Sequence, residues 1–152
     1  MTKTALALAA CLIALPAWAQ MRIGSVDTTF RVLGRNDRIA VDRYDDPDVP
    51  GISCYLSHAE TGGVKGSLGV AADPSRFSLA CQNSGHAAAP ASLPANAVVF
   101  GVRSSLLFKE LRVSRLFDRD RNVLVYLAWS TRSLTPGGSP ANAISTVSLS
   151  GN

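Results

Sequence analysis

Histidine is the scarcest chemistry-bearing residue in this sequence: only His58 and His86 occur among 152 residues. With two histidines and no C-x-x-C pair, the sequence offers no paired-histidine metal site, no haem-attachment motif and no dithiol redox centre. It also lacks the G-x-S-x-G nucleophile elbow of serine hydrolases. These absences exclude the common signatures of metal-dependent and covalent catalysis. We therefore predict a protein with no cofactor, no metal and no catalytic motif.

The sequence also lacks any apolar run of the roughly 20 residues that a helix needs to cross a bilayer. Its longest run, Ala5–Leu15, follows a positive charge and precedes a proline and a small-x-small sequence. That order is typical of a secretory signal peptide. We therefore predict that residues 1–19 are cleaved between Ala19 and Gln20. The product would be a single periplasmic domain of residues 20–152.

Lipid attachment is the alternative at this terminus. Cys11 follows Leu8-Ala9-Ala10, which resembles a lipoprotein processing site. Cleavage there would leave a second apolar run directly behind the lipidated cysteine. We therefore favour the soluble exported form over a lipoprotein anchored at Cys11.

A strong excess of charge is missing too. The formal net charge of +4 falls to +3 without the signal, because 14 basic residues then face 11 acidic ones. The arginines are spread along the chain, whereas a nucleic-acid binder concentrates its charge on one face. We expect solvated surface arginines and no nucleic-acid partner.

Two cysteines, Cys54 and Cys81, remain after removal of the signal. An even pair in an oxidising compartment predicts a disulfide. The chain-entropy model gives such a bond roughly 3–4 kcal/mol of stabilisation. We predict a structural disulfide between Cys54 and Cys81.

Short segments rich in β-branched, aromatic and aliphatic residues are separated by Gly, Pro, Asp and Asn, which is typical of strands and turns. The clearest unit is a hairpin: alternating apolar residues from Leu111 and from Val123 flank a charged turn, Asp118–Asn122. We interpret the charged turn as a solvated turn; the alternative is that this turn recognises a partner. We predict further strands at Gly24–Leu33, Arg38–Tyr44, Ile52–His58, Phe77–Gln82, Ala97–Ser104 and Ala143–Leu149.

The remaining segments read as connections. Ser104–Leu111 is compatible with either a strand or a helical turn. The alanine- and proline-rich stretch Ser84–Ala97 is typical of an exposed loop or insertion, and Thr135–Pro140 of a surface turn. This pattern predicts a mainly β fold: a single-domain antiparallel β-sandwich or small barrel with little helix and one disulfide.

The stretch "TGGVKGSLG" raises the question of a phosphate-binding loop. Such a loop needs G-x-x-x-x-G-K-[ST] running into a helix, whereas Lys65 here precedes its glycine and Asp73-Pro74 follows. We interpret the stretch as a flexible connection whose glycines permit tight turns, with a backbone nest for a small anion as the alternative. The candidate interaction residues are Thr61, Gly62, Gly63, Lys65, Gly66 and Ser67.

Three acidic residues, Asp45, Asp46 and Asp48, lie in "DDPDVPG". A calcium loop alternates its ligands and ends in a distal glutamate, and this stretch does neither. Its prolines and glycine favour a tight turn between two strands over a cation site.

A catalytic reading centres on His58, which we expect just after a strand and near Glu60. Counting residues alone does not exclude a Ser-His-acid arrangement. The alternative function is therefore a small envelope hydrolase with a dispersed site around His58.

Several stretches together resemble the CreA family of bacterial periplasmic proteins: "IGSVDTTF", "DDPDVPGISCYLS", "TGGVKGSLGVAADPSRFSLACQ", "SLLFKELRVSRLFD", "NVLVYLAWST" and "GSPANAISTVSL". The resemblance runs in order from about Ile23 to Leu149, and residues 85–97 match no family motif. It implies an exported protein and brings no known activity, cofactor or catalytic residue. We predict a binding domain of the cell envelope that recognises an envelope protein or a small ligand, with at most an indirect regulatory role.

Overall fold

The computed structural model of the chain describes residues 20–63, 76–85, 87–103, 110–131 and 139–150. The elements described are eight β-strands. They are β1 Gln20–Asp27, β2 Arg38–Asp45, β3 Ile52–Glu60, β4 Phe77–Asn83, β5 Asn96–Arg103, β6 Glu110–Asp118, β7 Val123–Ser130 and β8 Asn142–Ser148.

The strands form two antiparallel four-stranded sheets, β1-β2-β3-β4 and β5-β6-β7-β8. Within each sheet, strands that are neighbours in sequence pair with each other, and β4 and β5 lie in different sheets. Side chains alternate between the two faces of a strand, and β7 shows this directly because every second residue from Leu124 to Ser130 is buried. The mainly β, sandwich-like fold predicted from the sequence is confirmed.

The core lies between the two sheets. The rings of Tyr44 on β2 and Phe100 on β5 stack in parallel with their centroids 4.5 Å apart. On another side of the sandwich, β4 lies beside β8, where the amide of Cys81 donates to Ser145 Oγ at 2.8 Å. These contacts join the sheets, and β1 is left as an edge strand of the first sheet.

The Cys54–Cys81 disulfide is confirmed. The two cysteines lie directly opposite each other in the β3–β4 pairing, with 4.0 Å between their Cα atoms. The bond therefore links two neighbouring strands, β3 and β4, and closes the chain segment between them into a covalent loop.

Two predictions from the sequence are wrong in part. The strand predicted at Gly24–Leu33 occupies Gln20–Asp27 instead, because polar side chains after Asp27 fold the following residues into a loop. The stretch Ser84–Ala97 is exposed only in part, since Ala87 and Leu93 are buried in the core.

The hairpin prediction is confirmed: β6 and β7 flank the turn at residues 119–122, where Asn122 has φ of 53°. Residues 104–109 of the ambiguous segment and residues 135–138 of the predicted surface turn lie outside the described residues. Residues 1–19, the predicted signal peptide, lie outside them as well.

Candidate functional site

The connection between β1 and β2, residues 28–37, holds the most exposed large apolar side chains described. We call it the docking loop. Phe30 is 87%, Val32 88% and Leu33 86% exposed. Monomeric soluble proteins rarely leave large apolar side chains clustered in solvent, and such clusters mark interaction sites.

Polar contacts to Asp37 hold the docking loop in place. The carboxylate of Asp37 accepts hydrogen bonds from the Gly62 amide at 2.8 Å, Arg31 at 2.7 Å and the Thr29 hydroxyl at 3.2 Å. The Arg31 guanidinium and the Gly62 amide lower the pKa of Asp37. The Thr28 amide also donates to the Asp37 carbonyl at 2.7 Å. These hydrogen bonds fix the conformation of the loop, and its apolar side chains point into solvent.

Close backbone packing against the end of β3 completes this attachment. The Gly63 amide donates to the Arg35 carbonyl at 2.8 Å. A Cβ on Gly62 would lie 1.8 Å from the Arg35 carbonyl oxygen, which a side chain cannot do. Gly34 has φ of +84° and a Cβ there would lie 2.9 Å from Gly63 Cα. Glycine is required here because it allows close approach and positive φ.

The candidate interaction residues from the glycine stretch therefore divide into two groups. Thr61, Gly62 and Gly63 lie at the base of the docking loop. Lys65, Gly66 and Ser67 lie outside the described residues. Sequence reasoning missed the docking loop itself, although three large apolar residues between Thr29 and Asn36 give a signal once the strand is seen to end at Asp27.

Strand β1 continues this surface. All eight of its residues are exposed, including Met21, Ile23 and Val26. Val26 pairs with the exposed Ile39 of β2. The exposed apolar side chains thus run from the edge strand into the docking loop.

A buried carboxylate beneath β1 fixes that strand to the sheet. The side chain of Asp42 on β2 is fully buried and accepts hydrogen bonds from Gln20 at 2.9 Å, from Arg22 Nε and from His58 Nε2 at 2.8 Å. Burial alone would raise the pKa of Asp42, but the donors from His58 and Arg22 outweigh it, and the pKa lies below its ordinary value.

Glu60 completes this charged cluster. Its carboxylate accepts from Arg22 NH2 and from Arg38, each at 2.6 Å. Burial opposes its ionisation, yet these two guanidinium groups lower the pKa of Glu60 below its ordinary value. The cluster therefore balances its own charges and joins β1, β2 and β3.

The catalytic reading of His58 has no support in this geometry. His58 lies within β3, not after it, and bonds to Asp42 instead of Glu60. Ser57 lies on the opposite face and bonds to Ser78 at 2.7 Å. Within the part of the chain that the structure describes, no serine hydroxyl bonds to His58.

An open cleft of about 640 Å³ lies at the end of β2, β3 and β4. His58, Glu60 and Phe77 line it, together with Arg38. The Glu60 carboxylate and the Arg38 guanidinium already bind each other, so the cleft offers a shallow, mostly apolar surface beside the docking loop.

The acidic cluster forms the predicted turn between β2 and β3, and it has a second role that the sequence did not indicate. Asp46 Oδ1 accepts the amides of Asp48 and Val49 at 2.8 and 3.1 Å, which closes the turn. The same carboxylate binds Arg115 NH1 and the Tyr126 hydroxyl, each at 2.5 Å. Arg115 is fully buried, so this turn is tied to the second sheet through the core.

Electrostatics agree with that role. Burial would lower the pKa of Arg115, but its bonds to Asp46 and Asp48 hold the pKa above the ordinary value. Burial and the Asp46 carboxylate raise the pKa of Tyr126. The charged guanidinium is thus favoured, and Arg115 with Asp46 acts as a structural ion pair.

Two kinds of feature are absent from the described residues. No group of three or more His, Cys, Asp or Glu side chains there is placed to hold a metal ion. Among those same residues, no helix has the length and apolar character to cross a membrane.

Comparison with known proteins assigns the family. The family model described as CreA protein matches residues 23–152. The chain is 46% identical over 133 residues to Protein CreA of Escherichia coli strain K12, covering 82% of this chain and 81% of that protein. Protein CreA of Escherichia coli O6:H1 and of O157:H7 match equally. No solved structure matches. The chain belongs to the CreA family.

Proposed function

We propose that this chain is an exported domain of the bacterial cell envelope that acts by binding a partner protein through the docking loop. The observation that carries the proposal is the exposure of Phe30, Val32 and Leu33, each above 85%, on a loop fixed by Asp37 and by the glycines after β3. A collapsed loop would bury these three side chains. The contacts to Asp37 prevent that collapse and keep the side chains in solvent.

The energetics support a protein interface. Burying an apolar side chain of this size from nearly full exposure contributes about 1.5–3 kcal/mol. Three such side chains next to one another form an exposed apolar cluster of the kind that marks protein interaction sites. Ordering costs are small because the loop is already held in place.

The charges around the apolar cluster favour a specific partner. Arg31 is engaged by Asp37, whereas the Arg35 side chain is exposed and forms no ion pair with another described residue. The exposed Arg35 guanidinium beside three apolar side chains would select a partner with an apolar pocket and a carboxylate at its rim. This pattern favours a protein partner over a small ligand.

The experiment is quantitative co-purification from living cells with matched variants. The tagged full-length chain, the variant Phe30→Ser/Leu33→Ser and the variant Val98→Ser/Ile144→Ser are expressed at equal levels, crosslinked in the cell and purified. Val98 and Ile144 are also exposed apolar residues, but they lie on the second sheet. We expect one protein to be lost from the docking-loop variant alone.

Equal recovery from all three proteins would contradict the proposal. So would flotation of the purified chain with vesicles of anionic phospholipid that depends on Phe30 and Leu33, because the loop would then bind lipid. Both docking-loop side chains are exposed, so their loss should change the unfolding free energy by about 0.5 kcal/mol or less. The export part of the proposal is tested separately: the mature N-terminus in the periplasmic fraction should be Gln20.

A further inference from the structure

Strand β1 ends the first sheet with an edge that has little protection. Natural edge strands are usually protected from pairing with another chain by proline, lysine, free charges, bulges or a covering segment. β1 contains neither proline nor lysine, and all its residues are exposed. Within the described part of the chain, a bulge between Arg22 and Gly24 is the one such device at this edge.

The charges of β1 do not repel a second strand because they are bound within their own subunit. Arg22 binds Asp42 and Glu60. Asp27 accepts a hydrogen bond from Asn36 at 2.9 Å. The apolar side chains of Met21, Ile23 and Val26 remain in solvent beside this edge.

We propose that β1 pairs with β1 of a second copy of this chain, antiparallel and about a two-fold axis at Ser25. The two four-stranded sheets would then form one continuous sheet of eight strands. A two-fold interface uses the same patch on both subunits and must be self-complementary. The sequence of β1 meets this condition.

The register follows from the pleat and the bulge. Pairing with β2 places Arg22, Ser25 and Asp27 on one face of the sheet, since their partners Asp42, Ala40 and Arg38 alternate along β2. With Ser25 on the axis, Arg22 lies opposite Asp27 of the second copy, on that same face. Val26 then lies opposite the bulge of the second copy, where Ile23 supplies an apolar neighbour.

Other registers lose this match. A slip of one residue would move every side chain of β1 to the wrong face of the combined sheet. A slip of two would separate Arg22 from the opposite carboxylate. Opposite charges that face each other across two strands stabilise the pairing, and like charges destabilise it.

Both charged groups keep free atoms for this contact. Arg22 uses Nε for Asp42 and NH2 for Glu60, and its NH1 makes no hydrogen bond within the described chain. Asp27 uses Oδ2 for Asn36, and its Oδ1 accepts no hydrogen bond from another described residue. An unrelated strand would need an acidic and a basic residue at this same spacing, which β1 itself provides. The second copy is therefore the occupant that the charges favour.

The test uses the exported full-length protein and measures mass by sedimentation equilibrium across a dilution series. We expect a dimer that dissociates on dilution. Asp27→Lys would place a lysine opposite Arg22 of the second copy, at two symmetric positions. We expect dimer dissociation to become easier by roughly tenfold or more. Asp118→Lys, the same charge change at the β6–β7 turn, is the control and should leave dimerisation unchanged.

A second variant reports on geometry. Ser25→Cys places one cysteine of each copy at the axis, so an intermolecular disulfide should form in the wild-type register under mild oxidation. Val32→Cys, on the exposed docking loop, gives the level of collisional crosslinking. Peptide mass spectrometry identifies the bond, and circular dichroism checks that each variant is folded.

The outcomes are decisive. A dimer weakened by Asp27→Lys and crosslinked at residue 25 supports the proposal. A monomer at the highest concentration with no excess crosslinking at residue 25 overturns it. A dimer unaffected by Asp27→Lys also overturns it, because another face must then be the interface. These results are independent of partner capture by the docking loop, so either proposal can fail alone.

Discussion

Arg115→Met should be among the most destabilising single substitutions in the core of this protein. Arg115 is fully buried and binds the buried carboxylate of Asp46. Methionine fills similar volume but leaves that carboxylate without its cation. Removing one partner of a buried ion pair costs about 3–5 kcal/mol, because the remaining charge stays buried and unpaired.

The same strand supplies a matched control. Arg112 pairs with Glu110 at 2.8 Å while 42% of its side chain is exposed, and an exposed pair contributes about 1 kcal/mol or less. Its guanidinium also lies over the Trp129 ring at 5.7 Å, which adds about 0.5–1 kcal/mol. Arg112→Met should therefore cost about 2 kcal/mol at most, which is less than the cost of Arg115→Met.

The assay is urea unfolding of the disulfide-intact protein, followed by far-UV circular dichroism. The double variant Asp46→Asn/Arg115→Met removes both charges and keeps an acceptor for the turn amides. Its cost should be smaller than the sum of the two single variants, because each single change leaves one charge unpaired. Equal costs for Arg115→Met and Arg112→Met, or strict additivity in the double variant, would show that an unpaired buried charge is not the cause of the destabilisation.

Three further predictions concern the supports of the candidate surface. The pKa of Asp42 in the folded protein lies below its ordinary value of 3.8. The stability that ionised Asp42 contributes is therefore complete above pH 3.8, and it is lost as the pH falls from there towards the folded pKa. Asp42→Asn should lower stability at pH 7 and flatten its fall below about pH 4 in a pH series of thermal melts; an unchanged acid limb would contradict the assignment. Gly62→Ala places a Cβ against a backbone carbonyl and should speed hydrogen exchange in the docking loop. Gly85→Ala, where a Cβ meets nothing within 4 Å, should leave exchange unchanged; equal effects would show that close packing does not fix the loop. Replacing Cys54 and Cys81 by alanine should lower the free energy of unfolding by roughly 3–4 kcal/mol in urea. An unchanged free energy would show that the disulfide adds no stability beyond that of the β3–β4 pairing.

The strands were predictable because their signals are local. Alternation between apolar and polar residues identified β6 and β7, and turn residues marked the end of each. The start and end of β1 could not be found this way. Val32 and Leu33 have high strand or core propensity, and only the contacts of Asp37 with Gly62 show that the chain has already turned.

The buried clusters depend on pairing across the fold. Asp46 and Arg115 are 69 residues apart and meet only when the β2–β3 turn packs against the second sheet. The sequence shows a turn-forming aspartate and a strand arginine, with no local sign of their contact. His58 illustrates the same limit: Glu60 is near in sequence, but the β2–β3 register brings Asp42 to its ring.

The glycine stretch was predicted to contain tight backbone turns. Its described glycines, Gly62 and Gly63, approach the backbone of residues 34–36. What they support was not predictable, because the docking loop lies about 30 residues earlier in the chain. The remaining candidates of the stretch stay a prediction.

The most direct measurement of the central claim is site-specific photo-crosslinking in living cells. A photoreactive amino acid replaces Val32 on the docking loop or Ile144 on the second sheet, both exposed apolar positions. We expect one discrete crosslinked protein from position 32, abolished by Phe30→Ser/Leu33→Ser, and no such product from position 144. A product of equal yield from both positions, or none from position 32, would rule out partner binding through the docking loop.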